Sequence, residues 1–209
     1  MDQPFARAIG AVERSVEAVV REGQEMRKVC LARTYPTSAD DLWEAVTHAE
    51  RLPRWFLPVS GDLTEGGHYQ FEGNAGGKIL LCKPPKHLSV TWEFGGGISW
   101  LEVFFTEETP GQACLRFEHL VPVDDHWAKF GSGATGVGWD LTFLGLGTHL
   151  GVEDSRYAHE EWMSSEEGKA FMRLSSDAWC LAQVTNGESE DTARQQARQT
   201  ANFYTGTTG

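Results

Sequence analysis

The chain has 209 residues and carries 18 basic against 30 acidic side chains, a formal net charge of −12. A chain of this length can bury a sizeable core without disulfides or a metal, and its acidic surface repels phosphate backbones and anionic lipids, which argues against nucleic acid or a membrane as a partner. Its four cysteines are far apart with no CxxC pair, and its first residues include acids and no apolar run, so we expect free thiols, no secretory signal and a cytoplasmic protein.

Residues 1–24 form the first predicted unit and have two interpretations. Their apolar positions follow helical spacing and favour an amphipathic helix that ends near Gly23: Phe5, Ile9, Val12, Val16 and Val19. Alternatively, residues 12–20 pair as a hairpin with the next apolar run, across a turn at residues 21–24. That next run, residues 26–35, alternates between its two faces and predicts a strand.

A helix is predicted after this strand. Ser38 can cap its first turn, which contains Asp40 and Asp41. Apolar residues then continue at helical spacing from Leu42 onwards. Pro53 ends this helix or begins a short second one.

From Val59 to Val123, short apolar segments alternate with turns that contain glycine or proline. This pattern predicts an antiparallel meander. Alternation places two sets of three side chains on one face each: Leu101, Val103 and Phe105, and Leu115, Phe117 and His119. Tyr69 and Phe71 alternate with His68 and Glu72, and the sequence does not decide which pair faces inward.

The segment 138–150 returns to helical spacing, with Trp139, Phe143 and Leu146 on one stripe. A curved sheet cannot cover its own apolar face, so we expect this long helix to lie across the sheet. Residues 25–151 would then form the central domain.

Residues 152–209 are predicted to be a C-terminal helical extension. Ser164 and Glu167 fit a capping box at the start of one helix, Asn186 and Gly187 end that helix, and a last helix carries alanines on one face. The extension and the N-terminal segment need partners. They either pack on the back of the domain or form a homodimer through the terminal helices.

A set of aromatic motifs occurs along the central segment in a specific order. The motifs are Leu42-Trp43, Leu52-Pro53 with Trp55-Phe56, Val90-Thr91-Trp92, Leu115-Arg116-Phe117 with His119, and Gly138-Trp139. In this order they resemble the START-like SRPBCC superfamily and, within it, the branch named for the activator of the heat-shock-protein-90 ATPase. The resemblance implies an α+β helix-grip fold, in which a curved antiparallel sheet wraps around a long helix. Extra N- and C-terminal helices would flank it here.

Two glycine-rich segments look like nucleotide-binding loops but lack the required context. The GxGxxG of Gly131–Gly136 follows a predicted meander rather than a parallel strand, so it predicts a flexible start of the long helix that could gate a cavity. The segment from Gly73 to Lys78 is one residue too short for a phosphate loop and predicts a hairpin turn. The seven histidines form no HxH, HxxxH or HExxH motif, and we expect neither a metal nor a cofactor.

The chain has eight tryptophans and eleven phenylalanines. Six of these aromatic residues lie on elements that this fold would bring around a cavity: Trp43, Trp55, Trp92, Trp100, Trp139 and Phe143. A wide aromatic-lined cavity is typical of a site for a flat apolar ligand. The predicted ligand-binding residues are Trp43, Trp55, Trp92, Leu101, Val103, Phe105, Phe117, His119, Trp139, Phe143 and Leu146. For each of them plain core packing is the alternative, and for His119 we favour a hydrogen bond to the backbone within the core.

Three functions fit these expectations. The first, which we favour, is binding of a hydrophobic, aromatic or lipid-like small molecule in an internal cavity without catalysis. The second is an enzyme of the cyclase or dehydratase type, which would use a cavity His or Glu as its acid-base group. The third is a chaperone-associated protein-interaction module, as the name of the branch implies.

Overall fold

The structure is a computed structural model that describes residues 4–207. Within this range, the strands are β1 (Glu13–Arg21), β2 (Gln24–Tyr35), β3 (Val59–Gly61), β4 (His68–Phe71), β5 (Gly76–Lys83), β6 (His87–Phe94), β7 (Gly97–Thr109) and β8 (Gln112–Pro122). They form one antiparallel sheet in the spatial order β1-β2-β8-β7-β6-β5-β4-β3. The predicted meander is confirmed as β3 to β8, and the β1–β2 hairpin joins it through β8.

Seven α-helices accompany the sheet in the described range. They are α1 (Pro4–Gly10), α2 (Ala39–Thr47), α3 (Asp125–Phe130), α4 (Gly133–His149), α5 (Glu160–Ser164), α6 (Glu166–Thr185) and α7 (Glu190–Thr205). Short 3-10 helices cover Leu52–Arg54 and Ser155–Ala158. From residue 4 to residue 207, every helix is too short or too polar to cross a membrane.

The first segment differs from the helix that its spacing favoured. Helix α1 ends at Gly10, and β1 pairs with β2 along its whole length, from Glu13 opposite Ala32 to Arg21 opposite Gln24. The predicted helix up to Gly23 is therefore wrong beyond Gly10, and the hairpin alternative is right. Glu22 and Gly23 both have positive φ, the conformation of a tight hairpin turn whose twist matches that of its strands.

The inner face of the sheet is set by alternation along each strand. Leu101, Val103 and Phe105 are all buried on β7, and the neighbouring strand β8 buries Leu115, Phe117 and His119. On β4 the aromatic residues face inward: Tyr69 is buried, whereas His68 and Glu72 are exposed. This settles the choice that the sequence left open.

Helix α4 lies across this inner face, as predicted. The ring of Phe117 on β8 packs edge-on against Trp139 and Phe143 of α4, with centroid distances of 5.0 and 5.1 Å. Helix α6 covers the opposite side of α4. A helix that is covered on both sides must be apolar all round, which explains why α4 lacks a polar face.

The glycines at the start of α4 serve close packing. A Cβ added to Gly136 would lie 2.2 Å from the ring of Trp179 on α6, and one on Gly133 would lie 3.0 Å from Thr200 on α7. Ser132, directly before Gly133, is fully buried and donates a hydrogen bond to Gln183 Oε1 at 2.7 Å. The predicted flexible gate is therefore wrong, because this segment is clamped by the C-terminal helices.

The terminal helices pack on the protein's own core. The ring of Phe5 on α1 packs edge-on against that of Phe171 on α6, with a centroid distance of 6.2 Å. Helix α7 packs against α6, α3 and α4. Helix α6 is capped by Ser165, whose Oγ accepts from the backbone N–H of Gly168 at 3.1 Å, and not by the predicted Ser164. It ends at Asn186, as predicted. A homodimer through these helices stays a prediction.

A buried ion pair ties the C-terminal layer to the sheet. Arg14 of β1 donates to both carboxylate oxygens of Asp140 on α4, at 2.7 and 3.2 Å. Ser175 and Trp179 of α6 donate to the same carboxylate at 2.5 and 3.0 Å. Because the pair is buried and all of these donors converge on it, Asp140 joins three layers of the fold.

Candidate functional site

An apolar cavity of about 220 Å³ lies between the sheet and α4. Its walls come from α2 with the turn that follows it, from the inner face of β3 to β8 with loop residues between these strands, and from α4. The aromatic residues in these walls are Trp43, Trp55, Phe56, Tyr69, Phe71, Trp92, Phe117 and Trp139. Aliphatic side chains such as Val90, Leu101 and Val103 complete the floor.

The predicted ligand-binding residues divide into two groups. Seven of the eleven line this cavity: Trp43, Trp55, Trp92, Leu101, Val103, Phe117 and Trp139. The other four do not. Phe105 packs against Trp43 at 5.0 Å, Phe143 lies between Tyr35 and Phe117, Leu146 is fully buried in the core, and His119 lines a neighbouring hollow. That any of them contacts a ligand stays a prediction.

Trp100 lies outside the cavity altogether. Its strand parity is opposite to that of the buried Leu101, and the guanidinium of Arg21 stacks over its ring at 4.1 Å. A cation–π contact of this kind on the outer face covers an exposed aromatic ring. Trp100 therefore lies on a strand that borders the cavity but faces away from it.

One end of the cavity is closed by the turn after α2. The indole N–H of Trp55 donates to the carbonyl of Ala45 at 3.0 Å, which fixes the ring against α2. Helix α4 approaches the backbone of Trp55 through Gly145, where a Cβ would lie 2.8 Å from the Trp55 carbonyl oxygen. The ring of Phe56 then meets that of Phe71 edge-on at 5.0 Å.

Most polar atoms in the cavity wall are already paired within the protein. The hydroxyl of Tyr69 donates to the carbonyl of Thr91 at 2.7 Å, and burial raises the pKa of Tyr69. Thr142 donates to the carbonyl of Gly138 at 2.9 Å. Burial also raises the pKa of Cys82. Such a wall offers apolar surface and few hydrogen bonds, as is typical of a site for an apolar molecule.

His119 forms a directed chain of hydrogen bonds at the edge of the cavity. The indole of Trp139 can only donate, and its N–H lies 3.0 Å from His119 Nδ1. Nδ1 therefore accepts, and Nε2 carries the proton that it donates to Ser99 Oγ at 2.8 Å. Ser99 in turn donates to the carbonyl of Trp92 at 3.1 Å. Burial lowers the pKa of His119 to about 3, so the ring is neutral and both its nitrogens are engaged.

These partners correct the expectation for His119. It is a core histidine, but its partners are the side chains of Trp139 and Ser99 instead of the backbone. Alternation along β8 predicted its inward orientation. The tautomer and the partners depend on how α4 lies on the sheet, which alternation does not encode.

The family model described as Activator of Hsp90 ATPase homolog 1-like protein matches residues 36–151, which is more than half of the chain. The chain belongs to this family. The predicted resemblance is confirmed, and with it the α+β helix-grip fold. The family supports a ligand-binding or cyclase-like function in general, or chaperone-related binding.

Solved structures of related proteins agree with this assignment. CalU16 from Micromonospora echinospora is 28% identical; its crystal structure has a TM-score of 0.67 and covers 82% of this chain and 98% of its own. The solution structure of CalU16 gives a TM-score of 0.70 over 85% of this chain and 97% of its own. An Hsp90 activator from Plasmodium falciparum, 20% identical, has a TM-score of 0.52 over 61% of this chain and 97% of its own, and shares the fold. No curated protein matches the chain significantly.

The segment that matches the Hsp90-activator-like family contains every residue of the cavity wall. Several of these residues were not among the predicted ones. Ile79 and Val90 are paired neighbours on β5 and β6, and their inward orientation follows from a register that the sequence does not reveal. Leu63 reaches the cavity from a loop, where no periodicity exists to predict it.

Proposed function

We propose that the protein binds a flat, apolar small molecule, aromatic or lipid-like, in the cavity between the sheet and α4. The observation that carries this proposal is the hollow of about 220 Å³ with an almost wholly apolar wall. Protein interiors are close-packed and rarely leave a void larger than a water molecule. A concave, mostly apolar hollow of this kind is typical of a site that takes up apolar molecules.

The size of the cavity limits the part of the ligand that fits. An apolar cavity of about 150 Å³ accommodates benzene, whereas sites for drug-sized ligands begin at about 300 Å³. At about 220 Å³, this cavity suits a portion of one or two rings. A larger ligand would extend beyond it.

The shape of the wall favours a flat guest. Trp43, Trp55, Trp92 and Trp139 contribute four indole rings to the wall. An aromatic pair in an offset or edge-on arrangement contributes about 0.5–1.5 kcal/mol in addition to the energy of burying its apolar surface. A planar ring system gains these contacts on several sides, whereas a globular aliphatic molecule does not.

The wall offers little for acid-base catalysis. None of the described residues that line the cavity is Asp, Glu or His, and the nearby His119 is neutral with both nitrogens engaged. A cyclase or dehydratase needs an acid-base group within reach of its substrate. We therefore place binding without catalysis ahead of the enzyme alternative.

A titration with naphthalene as the probe tests this proposal, with tryptophan fluorescence and calorimetry as readouts. Val103, a buried residue of the wall, is replaced by Phe to fill the cavity. The phenyl ring takes up space that the guest needs, so we expect the affinity of Val103→Phe to fall by about tenfold or more, at least about 1.4 kcal/mol of binding free energy. The matched control is Val20→Phe, the same change at a residue that is 74% exposed.

Two results would contradict the proposal. One is the absence of saturable binding to the wild-type protein. The other is an unchanged affinity of a folded Val103→Phe variant, because the probe would then bind elsewhere.

A further inference from the structure

A second hollow of about 690 Å³ lies beside the cavity. We call it the outer groove. It is bordered by the β6–β7 turn with Phe94 and Ile98, by Ser99 and His119 at the ends of β7 and β8, and by Phe203 and Tyr204 of α7. Phe94, Ile98 and Phe203 are exposed, so apolar surface faces solvent along its rim.

The cavity and the outer groove share part of their walls. Phe56, Trp92, Trp139 and Thr142 line both hollows. The partition between the two is therefore one layer of side chains thick. At its centre the rings of Trp92 and Trp139 meet edge-on at 4.9 Å.

The two tryptophans of this partition are held differently. The indole of Trp139 is anchored by its hydrogen bond to His119. The side chain of Trp92 forms no hydrogen bond with any other described residue, and it is only partly buried. Trp92 is therefore the less firmly anchored of the two, and it is the side chain that would have to turn aside for a single molecule to occupy both hollows.

Helix α7 gives the outer groove a wall that the family segment lacks. Phe203 and Tyr204 lie beyond residue 151, where the family match ends. Tyr204 donates to the carbonyl of Ala134 on α4 at 2.9 Å, and Phe203 packs against Phe130 at 5.5 Å. These contacts hold the end of α7 against α3 and α4, so the wall is part of the folded structure.

The outer groove also differs from the cavity in polarity and charge. Hydrogen-bonding side chains on its surface include Asn74, Asp124, His126 and Thr135. None of the described residues that line it is Lys or Arg, and the chain as a whole carries a net charge of −12. Such a groove favours uncharged or positively charged groups and repels anions.

We infer that the outer groove binds the polar part of the same ligand, which is therefore an amphiphile. Its flat apolar part occupies the cavity, and an uncharged or cationic hydrogen-bonding part occupies the outer groove. This inference rests on the proposed function, and it adds the chemical class of the ligand and a second subsite. The C-terminal extension gains a role in this arrangement, because α7 builds one wall of that subsite.

Four probes separate the two subsites: naphthalene, and naphthyl ethers of equal length that end in a hydroxyl, an amine or a carboxylate. We expect the hydroxyl and amine probes to bind about three- to tenfold more tightly than naphthalene, the gain of one or two hydrogen bonds. The carboxylate probe should bind less tightly than either.

Variants then show whether the additional affinity of the hydroxyl and amine probes comes from the outer groove. Thr135, a partly buried residue of α4 on the groove, is replaced by Trp to fill the outer groove, with Thr135→Ala as the matched control. In Thr135→Trp, the affinity of the hydroxyl and amine probes should fall to that of naphthalene, and the affinity of naphthalene itself should not change. Phe203→Ala, at an exposed position and with the hydrogen bond from Tyr204 to Ala134 kept in place, should weaken the binding of the same two probes.

The outcomes distinguish this inference from the proposed function. If naphthalene binds but the hydroxyl and amine add no affinity, or if Thr135→Trp and Phe203→Ala leave their gain intact, the outer groove is not a subsite. If the carboxylate probe binds most tightly, the charge assignment is wrong. If no probe binds the wild-type protein saturably, the proposed function fails and this inference fails with it.

Discussion

His119 is an imidazole that folding keeps neutral, and this makes the stability of the protein depend on pH in a defined direction. The ordinary pKa of a histidine is 6.5, and burial lowers that of His119 to about 3. Between these values the unfolded chain binds a proton that the folded chain does not. The contribution of His119 to stability is therefore complete above about pH 6.5 and is lost as the pH falls towards 3.

The size of the effect follows from the pKa difference. Each pH unit inside this window removes about 1.4 kcal/mol of unfolding free energy. Lowering the pH from about 7 to about 5 should therefore cost about 2 kcal/mol through His119 alone. Other groups titrate over the same range, so the contribution must be isolated by a variant.

The variant His119→Gln provides this comparison. Its amide oxygen can accept from Trp139, its amide N–H can donate to Ser99, and it does not titrate. Urea unfolding of both proteins at the two pH values gives the difference directly. We expect the wild-type protein to lose about 2 kcal/mol more than the variant on acidification. Equal losses would mean that His119 accepts a proton in the folded state and is available for acid-base chemistry.

Two further predictions concern how α4 is held. Gly136→Ala should destabilise the protein by about 1–3 kcal/mol, because the added methyl collides with the ring of Trp179. The control Gly10→Ala, whose methyl meets nothing within 4 Å, should not destabilise it. Chemical denaturation measures both variants, and equal stabilities would contradict the close packing at Gly136. Asp140→Asn should lower the free energy of unfolding by about 3–5 kcal/mol, because it leaves the buried guanidinium of Arg14 without its counter-charge. A decrease below about 1 kcal/mol in the same assay would mean that the ion pair is solvated.

The fold could be predicted to a large extent because its elements carry strong local patterns. The inward orientation of Phe117 and His119 follows from alternation alone, and α2 follows from its cap at Ser38. The predicted helix in the first segment was wrong beyond Gly10 because Val12 and Val16, four residues apart, fit both a helical and an alternating pattern. Pairing with β2 decided the outcome, and pairing is a long-range interaction that periodicity does not contain.

The candidate site could be predicted in part. Alternation tells which face of the sheet a side chain occupies, but not whether it borders a hollow or fills the core. Phe105 and Val103 share a face, yet only Val103 lines the cavity. Whether Phe143 or Trp139 meets the cavity depends on the rotation of α4, which Gly136 and Asp140 fix through contacts with α6.

Methyl-resolved NMR shows whether an apolar molecule occupies the cavity between the sheet and α4. On titration with naphthalene we expect saturable shifts and intermolecular contacts at the methyl groups of Ile79, Val90, Leu101 and Val103, which line the cavity. The exposed methyl groups of Val20 and Leu181 should not respond. Shifts confined to exposed residues, or no saturable shift at the four cavity residues, would contradict the account.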